Sequence, residues 1–184
     1  MTTMIFLIKI VDSYSANGCI SKKSKGDLIM SIQVKLKDII EEMEIQIEES
    51  RSLLNITTGE ILLVTSEDLR AAENEEPFNH LPEWQQENLM VANDVVENFE
   101  NYIELPTKYE VNEYEIMEDF CLTISDQRKQ DILLRSIKGK GAFRRFKDQI
   151  IDFEIEDQWY SYRDECFKEI AIKWCQDNNV NYIE

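Results

Sequence analysis

The chain has 184 residues, 43% of them apolar and 10% aromatic, which is enough material for a sizeable core and excludes global disorder. Its formal net charge of -17 and pI near 4.5 exclude general nucleic-acid binding unless a local patch overrides the field. That length fits one domain with an appendage.

Residues 1–29 read differently from the rest. A short apolar run at 5–11, interrupted by Lys9, precedes a Ser/Lys/Gly stretch of linker composition. The run is too short to span a membrane and lacks the flanks of a signal peptide. Two readings stay open: an added strand or mobile arm, or an overextended gene start with Met30 as the natural first residue. The second is preferred, with residues 30–184 forming a single domain.

From 34 to 50, Leu36, Ile39, Ile40, Met43 and Ile47 recur at helical spacing and predict an amphipathic helix. Residues 52–57 and 60–65 are β-prone runs about Thr58-Gly59, a hairpin signal. A short helical piece and a Pro77-bearing loop follow. Pro82 suits a helix start, with Trp84, Leu89, Ala92, Val96 and Phe99 on one face. Residues 102–105 are extended up to Pro106.

Asn112 is a candidate N-cap for a helix with Tyr114, Met117, Cys121 and Ile124 inside. Ser125 or Asp126 caps the next, which buries Ile132, Leu133 and Ile137 and ends at Gly139. Phe143, Phe146, Ile150 and Phe153 mark one more helix. Trp159, Tyr162, Cys166, Ile170 and Trp174 form the stripe of the last, and residues 180–183 a terminal strand. The fold class expected is α+β, helix-dominated, with a small antiparallel sheet built on the early β-hairpin.

Charge is distributed unevenly. Residues 41–119 carry 22 Asp and Glu against 3 Lys and Arg, whereas residues 128–147 carry 8 Lys and Arg against Asp131 alone. At the centre of the basic window stands Lys138-Gly139-Lys140-Gly141-Ala142-Phe143-Arg144-Arg145-Phe146-Lys147-Asp148. Two helices joined there leave free N–H groups and a positive dipole end, and Lys138, Lys140, Arg144, Arg145 and Lys147 beside them make an anion-binding candidate. Gly139 and Gly141 would supply positive φ and close backbone approach. A simpler reading is a glycine C-cap, a turn and a solvated basic face. The stretch matches neither a Walker P-loop nor GxGxxG, since Arg144 stands at the third glycine.

The same stretch, followed by Trp159-Tyr160-Ser161-Tyr162-Arg163-Asp164, resembles the signature of uncharacterised protein family 0158, a bacterial family with a GRGAFRRFKD-like run and then W-Y-x-F-R-[DE]. Glu113-Tyr114-Glu115-Ile116-Met117-Glu118-Asp119-Phe120 is similar to its upstream run, and the Asn55-x-x-Thr58-Gly59-Glu60 hairpin fits. Lys140 stands in place of Arg and Tyr162 in place of Phe. The resemblance covers roughly residues 34–180 and implies no activity, cofactor or catalytic residue.

No constellation for chemistry stands out. Cys19, Cys121, Cys166 and Cys175 form no CxxC, and His80 is the only histidine, so a zinc site lacks ligands. Buried thiols in a reducing cytoplasm are the expectation. Glu41, Glu42, Glu48 and Glu49 read as a solvated helix face, and no Ser or Cys sits in a nucleophile elbow. Trp159 and Tyr162 read as core, leaving Tyr160 and Arg163 open for stacking or partner contact. The function expected is a cytoplasmic, non-enzymatic binding or regulatory protein without cofactor or metal. Its basic corner would contact phosphate, RNA or an acidic protein. The alternatives are an acidic face that binds a basic protein, as a nucleic-acid mimic or inhibitor does, and, less favoured, an enzyme acting on a phosphorylated small molecule.

Overall fold

The computed structural model describes residues 32–45 and 47–184, so the expectations for residues 1–29 lie outside the described residues. Strand β1 (Gln33–Lys35) runs directly into α1 (Leu36–Glu44). The predicted helix over 34–50 is therefore shorter at both ends. Val34 is claimed by strand pairing with Tyr182, and Ile47 lies beyond the helix, exposed. Both outcomes depend on distant chain, which helical periodicity does not report.

Strands β2 (Ser50–Asn55) and β3 (Ile61–Thr65) form the predicted hairpin. Asn55 shortens its first strand: its side-chain oxygen accepts from the backbone N–H groups of Thr57 and Thr58 at 2.8 and 3.2 Å, turning the chain early. Strand β4 (Tyr102–Glu104) pairs with the other edge of β2, giving the antiparallel order β3-β2-β4. A separate parallel pair joins β1 to β5 (Asn181–Ile183), a contact between the ends of the described residues that no local sequence pattern signals.

Helices α2 (Ser66–Glu73) and α3 (Glu83–Glu97) follow the hairpin and pack over its β2 and β3 residues Leu53 and Val64. On α3 the buried residues are Leu89, Ala92 and Val95. Trp84 and Phe99, expected on the inner face, are exposed instead, Trp84 by 62%, because the core is offset from the largest side chains.

The second core is larger. It gathers α1, α5 (Glu113–Thr123), α6 (Gln127–Ser136), α7 (Ala142–Asp152) and α8 (Glu156–Asp177), with the one-turn helix α4 (Lys108–Val111) contributing Val111. Its centre is aromatic. Phe146 and Trp159 meet edge-to-face at 4.8 Å between ring centroids, and Phe120 packs on both at 6.1 and 5.3 Å. Ile116 and Phe120 of α5 are buried while Tyr114 is exposed, and Phe143 of α7 is exposed although expected inside. On α8 the fully buried side chains are Trp159, Phe167, Ala171 and Cys175; the predicted stripe of Tyr162, Cys166, Ile170 and Trp174 flanks them half-buried. The described residues form an α+β fold.

Candidate functional site

Helix α6 starts on Asp126, whose carboxylate accepts from the backbone N–H groups of Arg128 and Lys129 at 2.9 and 3.1 Å. It ends at Ser136, short of the predicted Gly139, and leaves last-turn carbonyls without helical partners. Arg145, one turn into α7, reaches back to the last of them and to two carbonyls of the turn that follows. Its Nε–H donates to Ser136 O at 3.1 Å, and its two Nη groups donate to Lys140 O and Lys138 O, each at 2.7 Å. The guanidinium closes the turn from within. Of the predicted anion-binding residues, Arg145 is thus occupied by its own backbone.

Gly139 and Gly141 have φ of 77° and 79°, where glycine is favoured. A Cβ at Gly141 would also stand 3.1 Å from Arg145 Nη1, whereas one at Gly139 would meet nothing within 4 Å. Helix α7 begins at Gly141 without a side-chain cap. Around this turn Lys138, Lys140 and Arg144 are exposed, and among the described residues they make no side-chain hydrogen bond or ion pair. Lys147 is half-buried, its Nζ 5.0 Å from the Phe143 ring centroid and 5.7 Å from that of Tyr160. Tyr160 is therefore part of this corner through the lysine it shares with Phe143, whose apolar spacing predicts an inward position.

Arg163 is elsewhere. Its Nε–H donates to Glu113 Oε1 at 2.9 Å, an Nη donates to Glu44, and the guanidinium lies 4.1 Å from the Phe167 ring centroid. Burial opposes its charge, but the hydrogen bonds and charges of Glu44 and Glu113 outweigh that and raise its pKa above the ordinary value. The arginine joins α8 to α1 and α5. Only helix periodicity separates Tyr160 from Arg163 in the sequence, and no local signal reveals two glutamates 50 and 119 positions away.

Cavities of about 450, 510 and 240 Å³ lie away from the α6–α7 turn. The first runs between Ile47–Ser52 and Glu104–Tyr109, the second holds His80, Trp84 and Arg70, and the third is bounded by Arg163, Glu44 and Glu113. None of the three joins the basic corner to Asp148 or Glu118. Among the described residues no group of three or more His, Cys, Asp or Glu is placed to hold a metal ion, and no helix is long and apolar enough to cross a membrane.

Comparison with known proteins finds a match over residues 30–184 to the uncharacterised protein family UPF0158. The chain belongs to that family. It is also similar to a UPF0158 protein of Pseudomonas aeruginosa, 26% identical over 66 residues, which are 35% of this chain and 43% of that relative. The match thus spans less than half of the relative's length. No solved structure matches.

In this UPF0158 chain the three signature-like runs converge. Phe120, Phe146 and Trp159, one from each run, form the aromatic centre, and Glu113 and Arg163 pair beside it. Arg145 closes the turn. Lys138, Lys140, Phe143, Arg144, Asp148 and Tyr160 of these runs are left exposed at the corner, with Lys147 half-exposed.

Proposed function

We propose that this chain is a binding or regulatory module, not an enzyme, that engages an anionic partner through the corner where α6 meets α7. One observation carries the reading. Residues 128–147 hold 8 Lys and Arg against a single acid, yet none of the eight forms an ion pair among the described residues, in a chain of net charge -17. The ion pairs that do form use Lys37, Arg51, Lys108, Arg163, Lys168 and Lys173 instead. With so many carboxylates available, a basic surface left unneutralised keeps its field for a partner of opposite sign.

The test is retention on immobilised heparin at low salt, with wild type and a Lys138→Glu/Lys140→Glu/Arg144→Glu variant. Arg145 is left intact because it holds the turn. Wild type is expected to be retained and released by salt, and the variant to flow through. Equal behaviour of the two would end the reading and move attention to the acidic window of residues 41–119 and a basic protein partner.

A further inference from the structure

We infer that the anionic partner is single-stranded nucleic acid, held by base stacking on Phe143 and Tyr160 together with phosphate contacts from Lys140, Arg144 and Lys147; this rests on the reading of the corner proposed above. Phe143 is 45% and Tyr160 41% exposed, and the Lys147 ammonium lies between 5 and 6 Å from both ring centroids. Two aromatic rings flanking one cation, with unpartnered Arg144 adjacent to Phe143 on α7 and Lys140 in the turn before it, combine a stacking surface with a phosphate-binding field. A partner recognised by charge alone, such as an acidic protein surface, has no use for the ring faces. A duplex hides its base faces inside the stack, so only an unpaired strand can use both halves of the corner.

The surrounding charges also give a bound strand its path. On α8, Glu156 and Asp164 stand four residues either side of Tyr160, and on α7 Asp148 stands four residues after Arg144. The α8 carboxylates repel phosphate, so the strand's backbone runs along α7 with its bases turned towards the rings, and Asp148, on the same face as Arg144, offsets part of the field there. The site is small. Three cations in contact predict a salt slope of about -2 for a single strand.

The test uses fluorescence anisotropy with a labelled uridine oligomer, its deoxythymidine counterpart and a duplex of equal length. The proteins are wild type, Phe143→Leu/Tyr160→Leu, Tyr160→Phe, and Lys140→Glu/Arg144→Glu, each checked by thermal melting. Single strands are expected to bind wild type at least about tenfold more tightly than the duplex. The Leu pair should lose about tenfold while keeping wild-type retention on heparin, and Tyr160→Phe should bind as wild type because the ring is preserved. Comparison of the uridine and deoxythymidine oligomers separates RNA from DNA. Equal affinity for strand and duplex, with the Leu pair indistinguishable from wild type, overturns the stacking inference and leaves the anionic corner standing. Absence of all anion binding by wild type, heparin included, overturns both.

Discussion

Arg163 on α8 donates its Nε–H to Glu113 on α5 at 2.9 Å, and the same guanidinium also binds Glu44 on α1. Its side chain is 18% exposed, while the two carboxylates are about twice as open to solvent. Water therefore screens part of the attraction, and the cluster is worth less than a fully buried pair. Arg163→Gln should lower stability by about 1–2 kcal/mol. Arg163→Lys should recover only part of this, since an ammonium lacks the planar fork and the stacking on Phe167. Urea unfolding midpoints of the two variants decide it; an unchanged midpoint for Arg163→Gln would show the cluster to be incidental.

Adjacent arginines are expected to behave differently. Arg145 donates to three backbone carbonyls around the α6–α7 turn, whereas Arg144 has no partner among the described residues. Removing Arg145 leaves carbonyls dependent on water, so Arg145→Gln should cost about 1–3 kcal/mol. Arg144→Gln should stay within about 0.5 kcal/mol, as surface changes do. Paired thermal melts test this contrast, and equal losses would contradict the division between a structural and a free arginine.

Glycines 59 and 139 offer a second contrast. Both have positive φ, of 80° and 77°. A Cβ at Gly59 would stand 2.6 Å from Ile32 Cγ2, while one at Gly139 has open space. Gly139→Ala should therefore cost about 1–2 kcal/mol for the left-handed backbone alone. Gly59→Ala adds an overpacking cost of about 1–3 kcal/mol. Measured stabilities in the reverse order would show that the hairpin tip yields more readily than the α6–α7 turn.

Stability should fall at alkaline pH. Burial pushes the Cys121 thiol up to about 11, with the charge of Glu118 adding to it, and burial alone does the same at Cys175. Unfolded, each would ionise near its ordinary 9.0. Between these values the unfolded chain binds fewer protons than the folded one, so stability declines as pH rises. The contribution is intact below pH 9 and lost on the way to about 11. A Cys121→Ala/Cys175→Ala variant should show a shallower decline between about pH 8 and about pH 10.5, read from urea midpoints. Parallel declines in the two proteins would place the titration elsewhere.

Local chemistry alone determined much of this protein. The Thr58-Gly59 turn, the caps at Asn112 and Asp126, the basic window of residues 128–147 and the motif runs that place the chain in its family are all short-range signals. Each follows from a side chain acting on backbone a few residues away, or from charge density along the chain. Tertiary structure decided which residues those signals leave free. Arg145 and Arg144 are neighbours of one type, and only the position of the Ser136, Lys138 and Lys140 carbonyls separates the residue that closes a turn from the one that faces solvent. Phe143 continues the apolar spacing of Phe146 and Ile150, yet the core ends before it, and α8 instead brings Tyr160 to the same lysine. Arg163 meets Glu113 and Glu44 across 50 and 119 positions. Periodicity reports which face of a helix is apolar, but how far the core extends along that face depends on the elements that distant chain places against it.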